Sequence, residues 1–318
     1  MARRRALSTA ALAATAALVV SAAPAHAANP SYVALGDSYS SGTGTRSYIS
    51  DGTSCLRSVY AYPSLIASAK GYDLNFRACS GAKIVDVSNT QLSALSNCNG
   101  AIDKAQAYVN QTLPGALNTL YANIKARAPQ AKVTVVGYPH IFNGVDCNLL
   151  TWFSASEMTR LNAMADLVNS TTRARATAAG FSFADPTTPF VGHAVCSSSE
   201  WINGLSNPIQ ESYHPNRTGQ ASGYTPTVSP YLTGSTVTAT AALLTTAKGS
   251  TKRLADQQKR YAASDRAIKP ALVLAPDLST PAAKAAAKKA GVDLSSRASI
   301  DAVDRVYSAR QAAEFAAR

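Results

Sequence analysis

From Ser31 onward the chain alternates short β-rich runs with helical ones, and this alternation points to a parallel sheet covered by helices. Tyr32-Val33-Ala34-Leu35 reads as a short buried strand that breaks at Gly36-Asp37-Ser38. Leu74-Asn75-Phe76-Arg77-Ala78 is a second, stopped by Cys79-Ser80-Gly81. Lys132-Val133-Thr134-Val135-Val136 is the clearest, because it is apolar on both faces and ends at Gly137-Tyr138-Pro139. Phe181-Ser182-Phe183-Ala184-Asp185 is the last, closed by Pro186.

The segments between these strands read as helices. Ser154 and Glu157 have capping-box spacing, Met158, Leu161, Met164 and Val168 form a stripe, and Gly180 stands where a C-terminal glycine belongs. Ile102, Ala105 and Val109, then Leu117, Leu120 and Ile124, make a second helical stretch interrupted by Pro114. Both stripes are core positions. After Tyr224 the composition changes: 225–240 is rich in Thr, Ser and Pro, a linker composition, and the rest is rich in Ala, Lys and Arg. Thr280-Pro281 through Gly291 reads as a helix with proline in its first turn. Ile300, Val303, Tyr307 and Phe315 give a final helix whose narrow apolar stripe must lean on something.

The start of the chain reads as an export signal over residues 1–27: Arg3, Arg4 and Arg5 precede a run of Ala, Leu and Val that ends in Ala25-His26-Ala27. A secreted, extracellular product is therefore expected, soluble once the signal is removed. A hydrophobic fraction of 46% with 15% charged residues describes a globular chain and excludes general disorder, collagen and coiled coil. The formal charge of +12 is unevenly spread. Residues 28–231 hold 13 Lys and Arg against 11 Asp and Glu, whereas residues 232–318 hold 14 against 7. The organisation expected is a main domain over 28–231 followed by a basic helical extension over 232–318. No phosphate-cradling or base-reading motif accompanies the charge, so a nucleic-acid partner is not expected. The basic tail either holds the protein near an anionic membrane or cell-wall surface or is a solvated extension.

The five cysteines, Cys55, Cys79, Cys98, Cys147 and Cys196, include no C-x-x-C pair and have no histidine at metal-ligand spacing, so no metal or other cofactor is expected. In an oxidising compartment such scattered cysteines cross-link loops. Local geometry favours Cys55 with Cys79 and Cys147 with Cys196, leaving Cys98 as a free thiol.

Ala34-Leu35-Gly36-Asp37-Ser38-Tyr39-Ser40 is the most informative stretch. A serine at the C-terminal edge of the first parallel strand sits where open α/β sheets bind ligands, and Ser38 is a candidate nucleophile. It does not fit Gly-x-Ser-x-Gly, which disfavours the strained elbow of the α/β-hydrolases. Glu211-Ser212-Tyr213-His214-Pro215-Asn216 supplies a loop histidine able to accept the serine proton and return it to a leaving alcohol. His140 and His193 have ordinary explanations as polar or capping loop residues.

Gly36-Asp37-Ser38 near the start, with Ser212-Tyr213-His214-Pro215-Asn216 near the end of the core, resembles the SGNH, or GDSL, hydrolases, and more narrowly their secreted actinobacterial lipases, phospholipases and esterases. The resemblance covers about 31–224, including Ala78-Cys79-Ser80-Gly81-Ala82, Gly137-Tyr138-Pro139 and Cys196-Ser197-Ser198-Ser199 before Trp201. It implies a flavodoxin-like, three-layer α/β/α fold, a monomer, and hydrolysis of a lipid or other ester through an acyl-serine. Ser38 would be the nucleophile and His214 the general base and acid. The backbone N–H groups of Ser38 and Gly81 would face the developing oxyanion.

Two departures stand out. The family's Gly-Gly-Asn-Asp block, a central strand whose asparagine donates to the oxyanion, has no counterpart here. Where it should stand, Gln91-Leu92-Ser93-Ala94-Leu95-Ser96 runs straight into Asn97-Cys98-Asn99-Gly100, and Asn97 and Asn99 read as turn residues. In relatives the partner of Cys98 lies in that missing segment. Without the central strand, the Tyr32 and Lys132 strands either pair directly or leave a gap that helices fill. Weak activity, or a relative that binds lipid or envelope without turnover, is the other expectation. Second, family members commonly carry Asp three residues before the histidine, where this chain has Glu211. Glu211 either orients His214 with a longer arm or is a solvated loop charge, a backbone carbonyl orienting the ring as in some secreted relatives.

Overall fold

The computed structural model describes residues 29–82, 98–144, 153, 155–206, 208–268 and 281–317. Among the described residues four short strands form near the expected positions: β1 (Ser31–Ala34), β2 (Asp73–Phe76), β3 (Thr134–Val136) and β4 (Ser182–Ala184); β1, expected to be buried, leaves Val33 and the adjoining Leu35 half exposed because no third strand covers it. They pair in parallel, β1 with β2 and β3 with β4, with Ala34 opposite Phe76 and Val136 opposite Ala184. Among the described residues β1 and β3 share no ladder, so the Tyr32 and Lys132 strands do not pair directly. Side chains from helices join the two pairs instead. Tyr32 and Val136 pack on one cluster with Tyr62, Ile66, Phe190, Trp201 and Tyr224. Within it Tyr62 and Tyr224 stack at 5.5 Å, and the Tyr224 hydroxyl donates to the Gly137 carbonyl at 3.1 Å.

Among the described residues of the first two-thirds of the chain the helices are α1 (Ser38–Ser41), α2 (Tyr62–Lys70), α3 (Cys98–Gln111), α4 (Leu113–Arg127) and α5 (Ala155–Ala178). Pro114 separates α3 from α4 because it lacks the N–H that would continue α3, and it fits instead in the first turn of α4. Asn99, expected in a turn, lies in the first turn of α3, and Asn97 is outside the described residues. Val135 packs with Val109, Leu117, Tyr121 and Ala176 on one side of β3, whereas Val136 faces the tyrosine cluster on the other. Its two apolar faces are thereby both covered in part.

The stretch 225–240, linker-like in composition, is largely structured. A π turn (Gly219–Tyr224) runs into α6 (Thr225–Thr233), where Thr225, Val228 and Ser229 are buried. Its hydroxyls do not compete for solvent. Thr225 donates to the Gln220 carbonyl, Thr227 to Gly223 and Thr233 to Ser229, so these three hydroxyls bond back to the backbone.

The basic segment forms α7 (Ala241–Gly249), α8 (Thr251–Lys259), α9 (Ala262–Asp265), α10 (Pro281–Ala290) and α11 (Arg297–Ala316). These helices pack into the main body. Leu254 and Ala255 belong to the same core cluster as Ala34, Leu74 and Phe76, with Phe315 against it. Polar contacts anchor them as well. The fully buried Arg57 reaches Asp51 at 2.6 Å, Asp265 at 2.7 Å and the Ala78 carbonyl at 2.8 Å, and Arg77 also pairs with Asp265. A buried guanidinium needs such a set, since leaving one charge unmatched in a dry interior costs several kcal/mol, roughly 3–5. No described helix is long and apolar enough to cross a membrane.

Candidate active site

The turn after β1 is shaped by its own residues. The Asp37 carboxylate accepts from the Tyr39 N–H at 3.0 Å and so caps α1, placing Ser38 at its first position. Gly36 has φ +139, and a Cβ there would lie 2.6 Å from Ser40 Oγ. Only glycine fits this bend. At the other end Gly42, in the left-handed region, donates to the Ser38 carbonyl at 3.1 Å. Tyr138, from the turn after β3, donates its hydroxyl to the second Asp37 oxygen at 2.6 Å.

His214 comes from 176 residues away, and its Nε2 stands 2.7 Å from Ser38 Oγ. Its Nδ1 stands 2.8 Å from the Ser212 carbonyl, an oxygen that can only accept. The proton of the neutral ring therefore sits on Nδ1, and Nε2 is free to accept from the serine hydroxyl. Burial holds the imidazole below its usual range, against the smaller upward pull of the Ser212 bond and the Asp37 charge. The ring thus stays neutral, and basic toward Ser38, through neutral pH. Tyr213, immediately before it, has φ +58, a conformation uncommon for a side chain of that size. Two bonds hold it there: its N–H donates to the Asn203 carbonyl at 3.0 Å, and its carbonyl accepts from Tyr39 Oη at 2.8 Å.

Glu211 does not orient the ring in this geometry. Its carboxylate accepts from the Tyr48 hydroxyl at 2.5 Å and lies 3.2 Å from Arg46 Nε, and the residue is buried rather than solvated. Burial pushes its pKa above the usual carboxylate range, with Tyr48 and Arg46 pulling the other way. The physical reason is register: the Ile209–Glu211 3-10 turn sends the side chain toward the Thr45–Tyr48 loop, while the Ser212 carbonyl already satisfies Nδ1.

Gly81, with φ +85, lies in the Cys79–Ala82 turn, closed by a bond from Ala82 N–H to the Cys79 carbonyl at 3.0 Å. That turn is tied beside the serine. The Cys79 N–H donates to the Gly36 carbonyl at 3.0 Å, and Cys79 is disulfide-bonded to Cys55. Among the described residues neither the Ser38 nor the Gly81 N–H donates to a protein acceptor. Cys196 is also disulfide-bonded; Cys147 and the Cys98 side chain lie outside the description. His140 pairs with Asp166 at the surface, and His193 stacks on Trp201 at 3.6 Å with its Nδ1 on the Ser199 carbonyl. Among the described residues no group of three His, Cys, Asp or Glu side chains converges as a metal site.

Reading motifs did not find the residues behind the histidine. Asn203 is fully buried, its N–H bonds the His214 carbonyl at 2.8 Å, and its side-chain amide donates to the Gly44 and Glu211 carbonyls at 3.0 and 3.1 Å. A single asparagine in Trp201-Ile202-Asn203-Gly204 carries no sequence signal of that role.

A serine hydroxyl at the C-terminal end of a parallel strand, bonded to a carbonyl-oriented neutral histidine, is the arrangement of a serine hydrolase. The chain belongs to the GDSL-like lipase/acylhydrolase family, whose sequence profile matches residues 34–221. It is 40% identical over 227 residues to a lipase of Streptomyces rimosus, covering 61% of this chain and 84% of that one. Lipase 1 of Streptomyces coelicolor is likewise 40% identical over 228 residues, with the same coverage of 61% and 84%. Among solved structures, the extracellular lipase from Streptomyces rimosus superposes with a TM-score of 0.57 at 38% identity, covering 63% of this chain and 98% of that one. Phospholipase A1 from Streptomyces albidoflavus NA297 gives the same TM-score, 0.57, at 36% identity, with 63% and 98% covered.

Proposed function

We propose that this chain is an exported carboxylic ester hydrolase, a lipase or esterase acting on lipid esters through an acyl-serine intermediate. The observation that carries the reading is the 2.7 Å bond from Ser38 Oγ to His214 Nε2, with Nδ1 already held by Ser212. Ser38 Oγ attacks the ester carbonyl carbon while its proton passes to Nε2. The carbonyl oxygen becomes an oxyanion toward the N–H groups of Ser38 and Gly81. Collapse breaks the bond to the alkoxy group, which leaves as an alcohol with the proton from His214. Water then attacks the acyl-serine, gives its proton to His214, and the acid departs as the serine regains its hydrogen. Val33 and Leu35, 50% and 56% exposed on the run leading into Ser38, offer an apolar surface suited to an acyl chain.

Without the Gly-Gly-Asn-Asp block one oxyanion donor is missing from this scheme, and turnover is expected about a hundred- to a thousandfold below that of a site with all its donors. That same absence favours, as the second reading, a relative that binds lipid or envelope without effective catalysis. Ser38→Ala decides between them. Release of p-nitrophenol from a short-chain ester should vanish in the variant with circular dichroism unchanged, and His214→Ala should be nearly as severe because the pair acts as a unit. A wild-type rate equal to that of Ser38→Ala would leave the binding reading.

The same proposal takes residues 1–27 as the export signal, the mature chain as a monomer, Cys147 as the partner of Cys196, and Cys98 as a free thiol. Titration of denatured, unreduced protein should then give one thiol per chain, and a value near zero would contradict the pairing. Lys248, Lys252, Arg253, Lys259 and Arg260 on α7, α8 and the turn after them would place an anionic membrane or cell wall beside the enzyme. Binding to anionic vesicles that does not weaken as salt is raised would argue against this electrostatic role.

A further inference from the structure

The face of α11 that carries Asp304, Tyr307, Ser308, Gln311 and Phe315 lies against the loops behind the histidine. Gln311 donates to the Asn203 side-chain oxygen at 3.0 Å. Tyr307 Oη accepts from the Gly204 N–H at 3.1 Å, and Arg310 reaches the Glu200 carboxylate at 2.6 Å. Asp304 takes Arg46 in a two-pronged pair, both contacts 3.0 Å, and Ser308 accepts from the same guanidinium. Arg46 in turn faces Glu211.

We propose that α11 is a positioning element of the ester-hydrolysing site, fixing the His214 loop through Asn203 on one side and through Arg46 and Glu211 on the other. The inference rests on the function proposed above and extends it to the last helix of the basic extension, which was expected only to lean on something. Asn203 is the first link. Its amide nitrogen is committed to the Gly44 and Glu211 carbonyls, so its oxygen, in a residue with no solvent exposure, needs a donor, which Gln311 supplies. Without it the oxygen is buried with no donor, and because turning the amide over would set that oxygen against two carbonyls, Asn203 relieves the loss only by shifting, which loosens its bridge from Gly44 to Glu211. Gly44 stands three residues past α1, so the bond it loses is one that ties the nucleophile's loop to the histidine's.

The second link acts on strain. Arg46 and Tyr213 both have positive φ, 55 and 58, and such conformations persist only where the surroundings over-determine them. Asp304 and Glu211 hold Arg46; Asn203 and Tyr39 hold Tyr213. Relaxation of either would move the Ser212 carbonyl, and with it the ring whose Nε2 must stay on Ser38.

The test uses the full chain. Gln311→Leu keeps the bulk and removes the donor, and should lower kcat on a soluble p-nitrophenyl ester about ten- to a hundredfold at unchanged KM, since small misplacements of a reacting group cost this much. Gln311→Lys retains a donor and should recover most of the rate. The ring signals of His214, followed by nitrogen NMR, should change in Gln311→Leu from a single Nδ1–H tautomer to an exchanging mixture. A stabilising role alone would lower the melting temperature and leave kcat and these signals untouched below it. Should Gln311→Leu fail to fold, Asp304→Asn is judged by the same readouts, with a smaller loss expected. Unchanged kcat and unchanged ring signals in a folded variant would overturn the proposal. If the wild type hydrolyses no ester, the proposed function falls, and the ring signals alone decide the positioning role.

Discussion

The two halves of the candidate site are supported at different ranges. Around Ser38 most of the shaping bonds are short in sequence, Asp37 to Tyr39, Gly42 to Ser38 and Ser41 to Asp37, with Tyr138 on Asp37 and Cys79 on Gly36 added from farther away. Around His214 they are long. Asn203 lies eight residues from Glu211, but Tyr48 is 163 away from that glutamate, and Gln311 is 108 from Asn203. A locally shaped turn can be recognised as a motif and tolerates change elsewhere. A loop assembled from distant segments inherits the stability of each of them.

The largest expected effect comes from severing the distant chain from the body. Asp265→Ala leaves the buried Arg57 with one carboxylate instead of two and Arg77 with none of its α9 contact, at a cost of about 3–5 kcal/mol. Urea denaturation should show a single transition at a clearly lower midpoint. A midpoint equal to that of the wild type would mean that the basic segment is appended rather than integral.

Gly36→Ala attacks the local side of the comparison. The new methyl meets Ser40 Oγ at 2.6 Å and Ser40 Cβ at 2.8 Å, on a backbone at φ +139. Expected strain is about 1–3 kcal/mol, with kcat reduced at least tenfold through displacement of Ser38. Because the damage is local, melting should fall less than in Asp265→Ala even though activity is lost. Gly115→Ala, in a helix with nothing within 4 Å of the new carbon, is the control expected to leave both unchanged or slightly improved.

This contrast also explains what the sequence made legible. The strands, the Pro114 break, the Gly180 stop, α10 and α11 follow from periodicity and capping, which act within a few residues. Ser38 and His214 were legible because each sits in a compact motif. The Thr/Ser/Pro stretch misled because composition cannot show that hydroxyls return to their own helix, as Thr227 and Thr233 do. Asp265 against Arg57, 208 residues apart, and Gln311 against Asn203 had no signal at all, since each is an ordinary polar residue until the fold brings it to a buried partner. Glu211 was the intermediate case. Its place before the histidine drew attention, but only the fold shows its carboxylate turned to Tyr48 and Arg46.

The smallest effect sharpens the long-range half, and pH gives it a sign. Tyr48→Phe removes the hydroxyl that donates to Glu211 at 2.5 Å while keeping the ring. Where the buried carboxylate is ionised, loss of one donor to a charged acceptor should cost about 1.5 kcal/mol. Burial has already raised the Glu211 pKa, and losing the Tyr48 bond, one of the groups that lowers it, raises it further. A carboxyl whose folded pKa exceeds its unfolded value is favoured in the protonated form, so its contribution to stability is present in acid and lost as pH rises through the folded pKa. The variant should therefore be most destabilised at neutral pH and approach the wild type near pH 4, where Glu211 is protonated in both. Urea midpoints at the two pH values measure this. A difference that is the same at both would place the Tyr48 contribution in packing, and would remove Glu211 from the set of charges that holds the histidine loop.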